Sequence, residues 1–236
     1  MFVIVPTLPS LHFVFDALAC LAALTAAAWQ RMALRLSDNR HLDSGYLSIL
    51  LLGAAVGGYG LGTLNLAASG IHALAHSVLG ALAGGILAVE LYKPFRGIRE
   101  STGMAFALPF CAGVAVGRIG CFLAGMSDMT YGMPTVLPWH VDFGDGVPRH
   151  PVQLYESLSM TVAGLIMVFW IRRAPQTYRT FAFPAVVCLY AAQRFLWEFL
   201  KPYAALVLGM NLFQCICLLL LAYGLTQIFT RYFYGR

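Results

Sequence analysis

Charged side chains are scarce in this chain, which has 15 Lys and Arg and 10 Asp and Glu among 236 residues. Soluble domains devote about a quarter of their residues to charge, whereas here the share is 11% and the mean hydropathy is +0.75. So few charges cannot cover a water-facing surface. The scarcity excludes a soluble globular protein and predicts that a lipid bilayer surrounds most of the chain.

Basic residues are missing from the first ten positions, where a cleaved signal peptide would carry its positive charges. The first apolar stretch is therefore expected to remain as a membrane span. The formal net charge of +5 comes from short basic clusters between apolar stretches and not from one continuous patch. This distribution indicates membrane orientation, and we expect no nucleic-acid partner.

No two cysteines have the C-x-x-C spacing, and all six lie in apolar stretches. Buried cysteine usually behaves as a small hydrophobic residue, so a disulfide framework is not expected. His72 and His76, four residues apart, could be metal ligands, but no adjacent cysteine or acid completes a site. We therefore expect no metal.

Seven stretches are apolar and long enough to cross a bilayer as helices, which takes about 20 residues each. The chain is predicted to be an all-α membrane protein, with residues 1–236 in a single transmembrane domain. The predicted spans are Leu11 to Trp29, Tyr46 to Asn65, Gly70 to Tyr92, Gly103 to Gly125, Pro151 to Ile171, Thr180 to Phe199, and Ala204 to Ile228.

Lys and Arg are distributed asymmetrically over the predicted loops. The loops on one side, with the C-terminal tail, hold eleven of the 15, whereas the opposite loops contain only Arg149 and Lys201. Because basic residues concentrate on the cytoplasmic side, the N-terminus is predicted outside and the C-terminus in the cytoplasm. The eleven are Arg31, Arg35, Arg40, Lys93, Arg96, Arg99, Arg172, Arg173, Arg179, Arg231 and Arg236.

The segment 126–150 differs from the other loops because it contains three aspartates, several prolines and the turn signal Gly144-Asp145-Gly146. Within it, Val136 to Phe143 could form a short strand. We interpret the segment as a small extracytoplasmic cap between the fourth and fifth spans.

Ionisable and polar residues in the predicted spans gather toward the outer side of the bilayer, and only Glu90 lies near the inner face. Charges within a membrane are costly and by default mark a functional site. This pattern favours an enzyme acting on a lipid headgroup over a transporter, whose polar groups should lie near the midplane or along the whole crossing. The outer groups are His12, Asp16, His72, His76, Arg118, Gln153, Glu156, Arg194 and Glu198.

Arg118 and Arg194 suit an anionic headgroup, because a guanidinium binds phosphate through several hydrogen bonds and keeps its charge when partly desolvated. Gly117 and Gly120 flank Arg118 and allow another helix or a substrate to approach the backbone closely. The alternative is that both arginines serve only as ion-pair partners for glutamates of the spans.

Two stretches carry a recognisable pattern. The first runs from Gly117 to Gly125 (GRIGCFLAG) and is followed by Tyr131-Gly132, and the second runs from Arg149 to Glu156 (RHPVQLYE). Together, in this order, they resemble the signature of the prolipoprotein diacylglyceryl transferase family.

The likeness extends from about Gly103 to the end of the chain. Arg194 to Phe199 (RFLWEF) is similar to a later arginine motif of the family, and Gly209 to Gln214 is similar to the start of its last helix. Cys121 stands where many members have asparagine. The outer segment and the whole chain are short for the family, which leaves the acceptor open.

The resemblance implies an enzyme of the bacterial cytoplasmic (inner) membrane. It would move the diacylglyceryl group of phosphatidylglycerol to the thiol of a lipobox cysteine in a lipoprotein precursor and release glycerol phosphate, with no cofactor. Arg118 would bind the phosphate, and Arg194 would lie near it or guide substrate entry. His76 is the candidate base for a thiol whose free pKa is about 8.5. The implied substrate-binding residues are Arg118, Gly120, Gly132, His150, Gln153, Tyr155, Glu156 and Glu198.

Two alternatives stay open at this point. One is a relative with the same lipid donor and a different acceptor, and the other is a non-catalytic lipid-binding or transport protein. The expected partners are phosphatidylglycerol, the lipoprotein precursor and membrane lipids.

Overall fold

The computed structural model describes residues 3–4, 7–36 and 42–234, so Arg40 and Arg236, both counted in the charge asymmetry, lie outside the described residues. Seven described helices are long and apolar enough to cross a membrane, which confirms the prediction of an all-α membrane protein with seven spans. The elements are β1 (Val3–Ile4), α1 (Ser10–Ala33), α2 (Ser44–Ala68), α3 (Val78–Phe95), α4 (Ala107–Ala124), β2 (Val141–Asp142), α5 (Val152–Arg173), α6 (Pro175–Glu198) and α7 (Leu212–Tyr234), with 3-10 turns at Gly103–Phe106 and Gly125–Asp128 on either side of α4.

The third span begins later than the sequence predicts, at Val78 instead of Gly70. Ser77 caps α3, because its hydroxyl accepts a hydrogen bond from the Gly80 N–H at 3.2 Å. The preceding residues follow α2 in non-helical form, and the Ala75 N–H donates to the Thr63 hydroxyl at 3.2 Å. His72 and His76 therefore lie before the helix and not one turn apart on it.

The last span also begins later, at Leu212 and not at Ala204. Its start is a reciprocal capping arrangement: the Gln214 N–H donates to Asn211 Oδ1 and the Asn211 N–H donates to Gln214 Oε1, each at 2.9 Å. Such a pair satisfies backbone groups that a helix start leaves without partners. Apolar composition could not reveal this boundary, because the residues before it are apolar as well.

The fifth and sixth spans are longer than predicted, and only Ala174 separates them. Arg172 and Arg173 end α5, while Arg179 lies inside α6 and not in a loop. Pro175 occupies the first position of α6, where its missing N–H and fixed φ are compatible with a helix start. The three arginines still mark one end of both helices.

The chain forms two compact units. The first unit comprises Met1–Leu34, Ala105–Ala182 and Leu196–Pro202 and contains α1, α4, α5 and both strands. The second comprises Arg35–Met104, Phe183–Phe195 and Tyr203–Arg236 and contains α2, α3 and α7.

In the second unit, α2 and α3 pack backbone to backbone through glycines. A Cβ added at Gly57 would lie 2.3 Å from the Gly80 carbonyl oxygen, and one at Gly84 would lie 2.2 Å from the Gly53 carbonyl oxygen. Only glycine allows this approach, so the pair is held by close packing of small residues.

In the first unit, the segment after α4 returns to the start of the chain. The strand predicted over Val136 to Phe143 is restricted to β2, which pairs in parallel with β1. The predicted turn is present: Asp142 Oδ1 accepts hydrogen bonds from the backbone N–H groups of Gly144, Asp145 and Gly146 at 2.8 to 3.1 Å. Gly144 and Gly146 both have positive φ, which glycine adopts without steric cost.

Candidate functional site

Four charged side chains meet inside the first unit. Arg118 Nε, on α4, lies 2.7 Å from Glu156 Oε2, on α5. Glu156 Oε1 accepts from Lys201 Nζ at 2.7 Å, and Lys201 Nζ also lies 3.4 Å from Glu198 Oε1. All four side chains are buried. We call Arg118, Glu156, Lys201 and Glu198 the ionic cluster.

The ionic cluster balances two cations against two carboxylates. Burying ions costs several kcal/mol each, and well-packed apolar residues often stabilise a fold at least as well. Stability alone is therefore a weak reason for these residue types. A pre-formed set of charges at an arginine suits a bound anion, because the arginine is already oriented when the ligand arrives. The predicted pairing of Arg118 with Glu156 is present, and Lys201, predicted to lie in an outer loop, is a buried member of the cluster.

Gln153 lies one helical turn before Glu156 on α5 and is 1% exposed. Among the described residues, neither its amide nitrogen nor its carbonyl oxygen has a hydrogen-bond partner. An unsatisfied buried amide costs about 1–3 kcal/mol. A carboxamide in this state beside the ionic cluster is suited to bind a polar ligand group.

The two recognised sequence stretches meet at Gly132. A Cβ at Gly132 would lie 2.3 Å from the His150 carbonyl oxygen, so only glycine fits. The next residue extends the contact: the His150 N–H donates to the Met133 carbonyl at 3.1 Å, and the Met133 N–H donates to the Leu200 carbonyl at 2.7 Å. Through Met133, these bonds connect Leu200, the residue before Lys201, to His150, which lies two residues before α5.

Aromatic side chains surround the start of α5. The Trp139 indole donates to the Tyr155 hydroxyl at 2.7 Å, and the Tyr155 ring lies 5.2 Å from that of Trp197. His150 also contacts this group, with Nδ1 3.5 Å from the Tyr155 hydroxyl. Burial lowers the pKa of His150 below its ordinary 6.5, because desolvation disfavours the imidazolium. His150 is therefore suited to act as a neutral hydrogen-bonding group at neutral pH.

Arg149 lies within segment 126–150 and pairs with an aspartate of the same segment. Its guanidinium donates to Asp145 Oδ2 at 2.7 Å and lies 5.1 Å from the Tyr131 ring centroid. The hydrogen bond from Arg149 lowers the pKa of Asp145 below its ordinary 3.8. This pair stabilises the Gly144-Asp145-Gly146 turn.

A second polar group, which we call the donor triad, forms where α1 meets α4. A Cβ at Gly120 would lie 2.5 Å from the Phe15 Cβ, so glycine lets α1 approach. This approach brings His12 Nε2 to 3.7 Å from Cys121 Sγ and 3.0 Å from Asp128 Oδ1. The donor triad is His12, Cys121 and Asp128.

The donor triad borders the ionic cluster through one contact, from Arg118 Nη1 to Cys121 Sγ at 3.6 Å. Cys121 was predicted to be a small apolar residue, and this contact together with that to His12 corrects that interpretation. The sequence contains one indication of the triad: His12 lies four residues before Asp16, near the predicted start of α1.

Two predicted catalytic residues lie in the second unit. Arg194 is buried, and its guanidinium lies 5.6 Å from the Phe213 ring centroid. His76 is exposed, and its ring lies 6.2 Å from that of Tyr59. Of the predicted site residues, the first unit contains Arg118, Gly120, Gly132, His150, Gln153, Tyr155, Glu156 and Glu198.

The seven apolar helices of the described residues, together with the buried ionic cluster, define a polytopic membrane protein with a site suited to an anionic ligand. Residues 17–230 match the family model of prolipoprotein diacylglyceryl transferase. This chain belongs to that family, as the resemblance of its motifs predicted.

Several curated relatives are named phosphatidylglycerol–prolipoprotein diacylglyceryl transferase. The one from Methylococcus capsulatus is 32% identical over 163 residues, which cover 65% of this chain and 60% of the relative. The one from Cupriavidus metallidurans is 33% identical over 131 residues, covering 52% of this chain and 47% of the relative. The one from Clostridium tetani is 31% identical over 131 residues, covering 52% and 51%.

The chain thus spans about half the length of the curated relatives that it matches. No solved structure matches it.

Proposed function

We propose that this protein transfers the diacylglyceryl group of phosphatidylglycerol to the thiol of a lipobox cysteine in a lipoprotein precursor. Family membership supports the reaction class. The observation that carries the proposal is the buried Arg118, held by Glu156 at 2.7 Å within helices that span a membrane. A fixed guanidinium at that place can bind the phosphate of a lipid headgroup.

In the proposed reaction, the acceptor thiol loses its proton to a base, and the sulfur attacks the glyceryl carbon that carries the phosphate oxygen. The carbon–oxygen bond breaks, its electron pair passes to the phosphate oxygen, and glycerol phosphate leaves. The products are a thioether and a phosphate monoester. Arg118 stabilises the charge that develops on the leaving phosphate, as electrostatic catalysis requires.

The other residues have supporting roles in this proposal. Glu156 orients Arg118, and Lys201 holds Glu156 and Glu198 in place. Gln153, with its buried carboxamide, binds the headgroup. Gly120 and Gly132 permit close approach of backbone, and His150 and Tyr155 border the mouth. Arg194 is proposed as the second contact to the phosphate and His76 as the base.

We further propose the topology that the charge asymmetry supports: the N-terminus outside, the C-terminus in the cytoplasm, and both units in a single transmembrane domain of the bacterial cytoplasmic membrane. Segment 126–150 would then be an extracytoplasmic cap. A green fluorescent protein fused to the C-terminus should fluoresce and an alkaline phosphatase fusion should be inactive. The opposite result would contradict this orientation.

The main test uses purified protein in micelles that contain phosphatidylglycerol, together with a lipobox peptide, and measures the mass shift of the peptide. Wild type should add one diacylglyceryl group per peptide. Arg118→Lys should lose about 100-fold or more of the rate, because lysine cannot reproduce the arginine fork and a single lost transition-state donor costs that much.

Two controls sharpen the test. A peptide with serine in place of cysteine should stay unmodified. Arg96→Lys, at an exposed ion pair with Asp43, should keep its rate within about twofold, because exposed pairs contribute little. Equal rates for Arg118→Lys and Arg96→Lys would remove the proposed role of Arg118.

A different acceptor is the second candidate, and the shortness of segment 126–150 favours it. Under this alternative, wild type would release glycerol phosphate from labelled phosphatidylglycerol while the lipobox peptide stayed unmodified.

A further inference from the structure

The segment between α4 and α5 has an apolar tip, residues 133–139, to which the proposed reaction assigns no role. The sequence of this tip is MPTVLPW and contains no charged residue. Val136 is 97% exposed, Trp139 is 56% exposed and Met133 is 42% exposed. Large apolar side chains that are exposed together mark a surface that contacts a partner or a membrane.

Hydrogen bonds hold the tip in a defined conformation. The Thr135 N–H donates to the Pro148 carbonyl at 2.8 Å, which joins the tip to the end of the segment. Within the tip, the Leu137 N–H donates to the Thr135 hydroxyl at 3.3 Å. Backbone N–H groups that leave water need such partners, and Pro134 and Pro138 have no N–H to satisfy. The backbone of the tip is therefore suited to a partly apolar surrounding.

The tip contacts α5 at the end of the exposed apolar face of that helix. The Trp139 indole donates to the Tyr155 hydroxyl at 2.7 Å. From Tyr155 onward, exposed apolar residues recur on α5 at helical spacing, at Leu158, Val162 and Leu165. In a helix that spans a membrane, such a face is covered by lipid. Trp139 therefore continues a surface that the bilayer already contacts.

The residues around the tip indicate the depth at which it lies. Tyr155 is in the first turn of α5 and Trp197 is in the last turn of α6, and their rings are 5.2 Å apart. With Trp139 they form an aromatic group at the ends of two spans, where tryptophan and tyrosine are typical of the membrane–water interface. Asp145 and Arg149 form their ion pair outside the tip, and the cost of charge in hydrocarbon limits insertion to this interfacial layer.

We propose that residues 133–139 insert into the interfacial layer of the bilayer at the end where α5 begins, with Val136 and Trp139 as the inserted side chains. Apolar surfaces of this kind are buried about 5–10 Å into the boundary between headgroups and acyl chains. The partner of the tip is thus a lipid surface, which is the outer leaflet under the proposed topology. Insertion holds the start of α5, with Tyr155, at the depth of the headgroups. The inference does not depend on the transferase reaction.

The test measures tryptophan fluorescence of the purified full-length protein in vesicles of phosphatidylcholine and phosphatidylglycerol. Trp29→Phe, Trp170→Phe and Trp197→Phe together leave Trp139 as the one tryptophan of four. Its emission should be blue-shifted relative to tryptophan in water. Phosphatidylcholine brominated near the headgroup end of its acyl chains should quench this emission more strongly than lipid brominated near the chain ends. If the triple variant does not fold, the difference between wild type and Trp139→Phe supplies the same measurement.

Val136→Asp places a charge on the tip without a loss of packing, because Val136 is almost fully exposed. In this variant, most of the quenching by brominated lipid should be lost and the emission of Trp139 should shift to the red, since a charged side chain resists insertion. Quenching by acrylamide, which stays in water, should increase. The matched control is Asp145→Asn, which changes a charge of the same segment outside the tip and should leave the lipid quenching unchanged.

Quenching of Trp139 by acrylamide and by neither brominated lipid would overturn the proposal. Undiminished lipid quenching in Val136→Asp would do the same, because Trp139 would then meet lipid beside α5 without insertion of the tip. A blue shift that appears only after a lipobox peptide is added would identify the acceptor polypeptide as the partner instead. Lipid quenching in a protein that transfers no diacylglyceryl group would support insertion and remove the proposed function, so the two failures are distinguishable.

Discussion

Two helix pairs, α1 with α4 and α2 with α3, use small residues for close approach but carry different chemistry. The α2–α3 contact is made by glycine against glycine backbone, as at Gly57 and Gly80. The α1–α4 contact has glycine on one side only, with Gly120 against Phe15. This second contact also brings polar side chains together, because it places His12 close to Cys121 and Asp128.

The comparison shows that glycine packing alone does not mark a site. Helices in a bilayer gain little from the hydrophobic effect between themselves and associate through close packing instead. Such packing becomes functional where ionisable side chains flank it, since their cost in the membrane has to be offset by partners or by ligands. The first unit meets this condition at α4, whereas the α2–α3 contact at Gly57 and Gly80 is made by backbone atoms.

The largest expected effect on stability comes from Glu156→Gln. It leaves Arg118 and Lys201 facing a neutral amide, and removal of one partner from a buried pair costs about 3–5 kcal/mol. Unfolding by titration with sodium dodecyl sulfate should show this loss. The matched control is Asp43→Asn in the second unit, whose ion pair with Arg96 is about half exposed and is expected to contribute less than about 1 kcal/mol. Equal losses of unfolding free energy in the two variants would show that water screens the ionic cluster more than its burial indicates.

Next in size is Gly57→Ala on α2. Its Cβ would lie 2.3 Å from the Gly80 carbonyl oxygen, and such overpacking costs about 1–3 kcal/mol. Gly60→Ala, on the same helix, meets nothing within 4 Å and should gain about 0.5–1 kcal/mol from helix propensity. A stabilising Gly57→Ala would contradict the direct backbone contact between α2 and α3.

A third substitution, Gly120→Ala, tests whether the α1–α4 contact affects the transferase rate and not only the stability of the fold. The added methyl would displace Phe15 and with it His12, so we expect the transferase rate to fall about tenfold, which corresponds to about 1.4 kcal/mol in the barrier. Gly57→Ala should keep its rate per folded molecule, which assays normalised to folded protein by size-exclusion chromatography can measure. If both variants lose rate equally, the α1–α4 contact has no special catalytic position.

The smallest effect belongs to Asp145→Asn in the cap segment. The folded-state pKa of Asp145 is depressed by Arg149, so its contribution is present above the ordinary pKa of 3.8 and is lost as pH falls through the lower folded value. At pH 7 the free energy of unfolding of wild type should exceed that of the variant by about 0.2–1 kcal/mol. Thermal melts of the two proteins should converge once the pH falls below the depressed pKa of Asp145. A constant difference over this range would show that the charge of Asp145 is not the cause.

The sequence predicted the spans well where hydropathy changes sharply and less well where it does not. Ser10–Ala33 and Val152–Arg173 lie within a few residues of their predictions. The start at Leu212 could not be located, because apolar residues continue before it and only the capping pair of Asn211 and Gln214 sets the boundary.

For the site, sequence patterns identified Arg118 and Glu156 but not Lys201 or the donor triad. Lys201 follows a helix end and precedes a proline, a position where lysine is ordinarily solvated. His12 and Asp128 are 116 residues apart, and no local pattern relates residues at that separation.

The amino-acid sequence alone was enough to predict seven apolar helices long enough to cross a membrane and to predict the family, because both follow from local composition and motif. The tertiary structure alone decided which side chains meet. Whether Lys201 is solvated or buried between two carboxylates, and whether Cys121 packs as an apolar residue or faces imidazole and guanidinium, depends on how closely distant helices approach. Glycine at 120 and 132 sets that approach, and its consequence appears only in three dimensions.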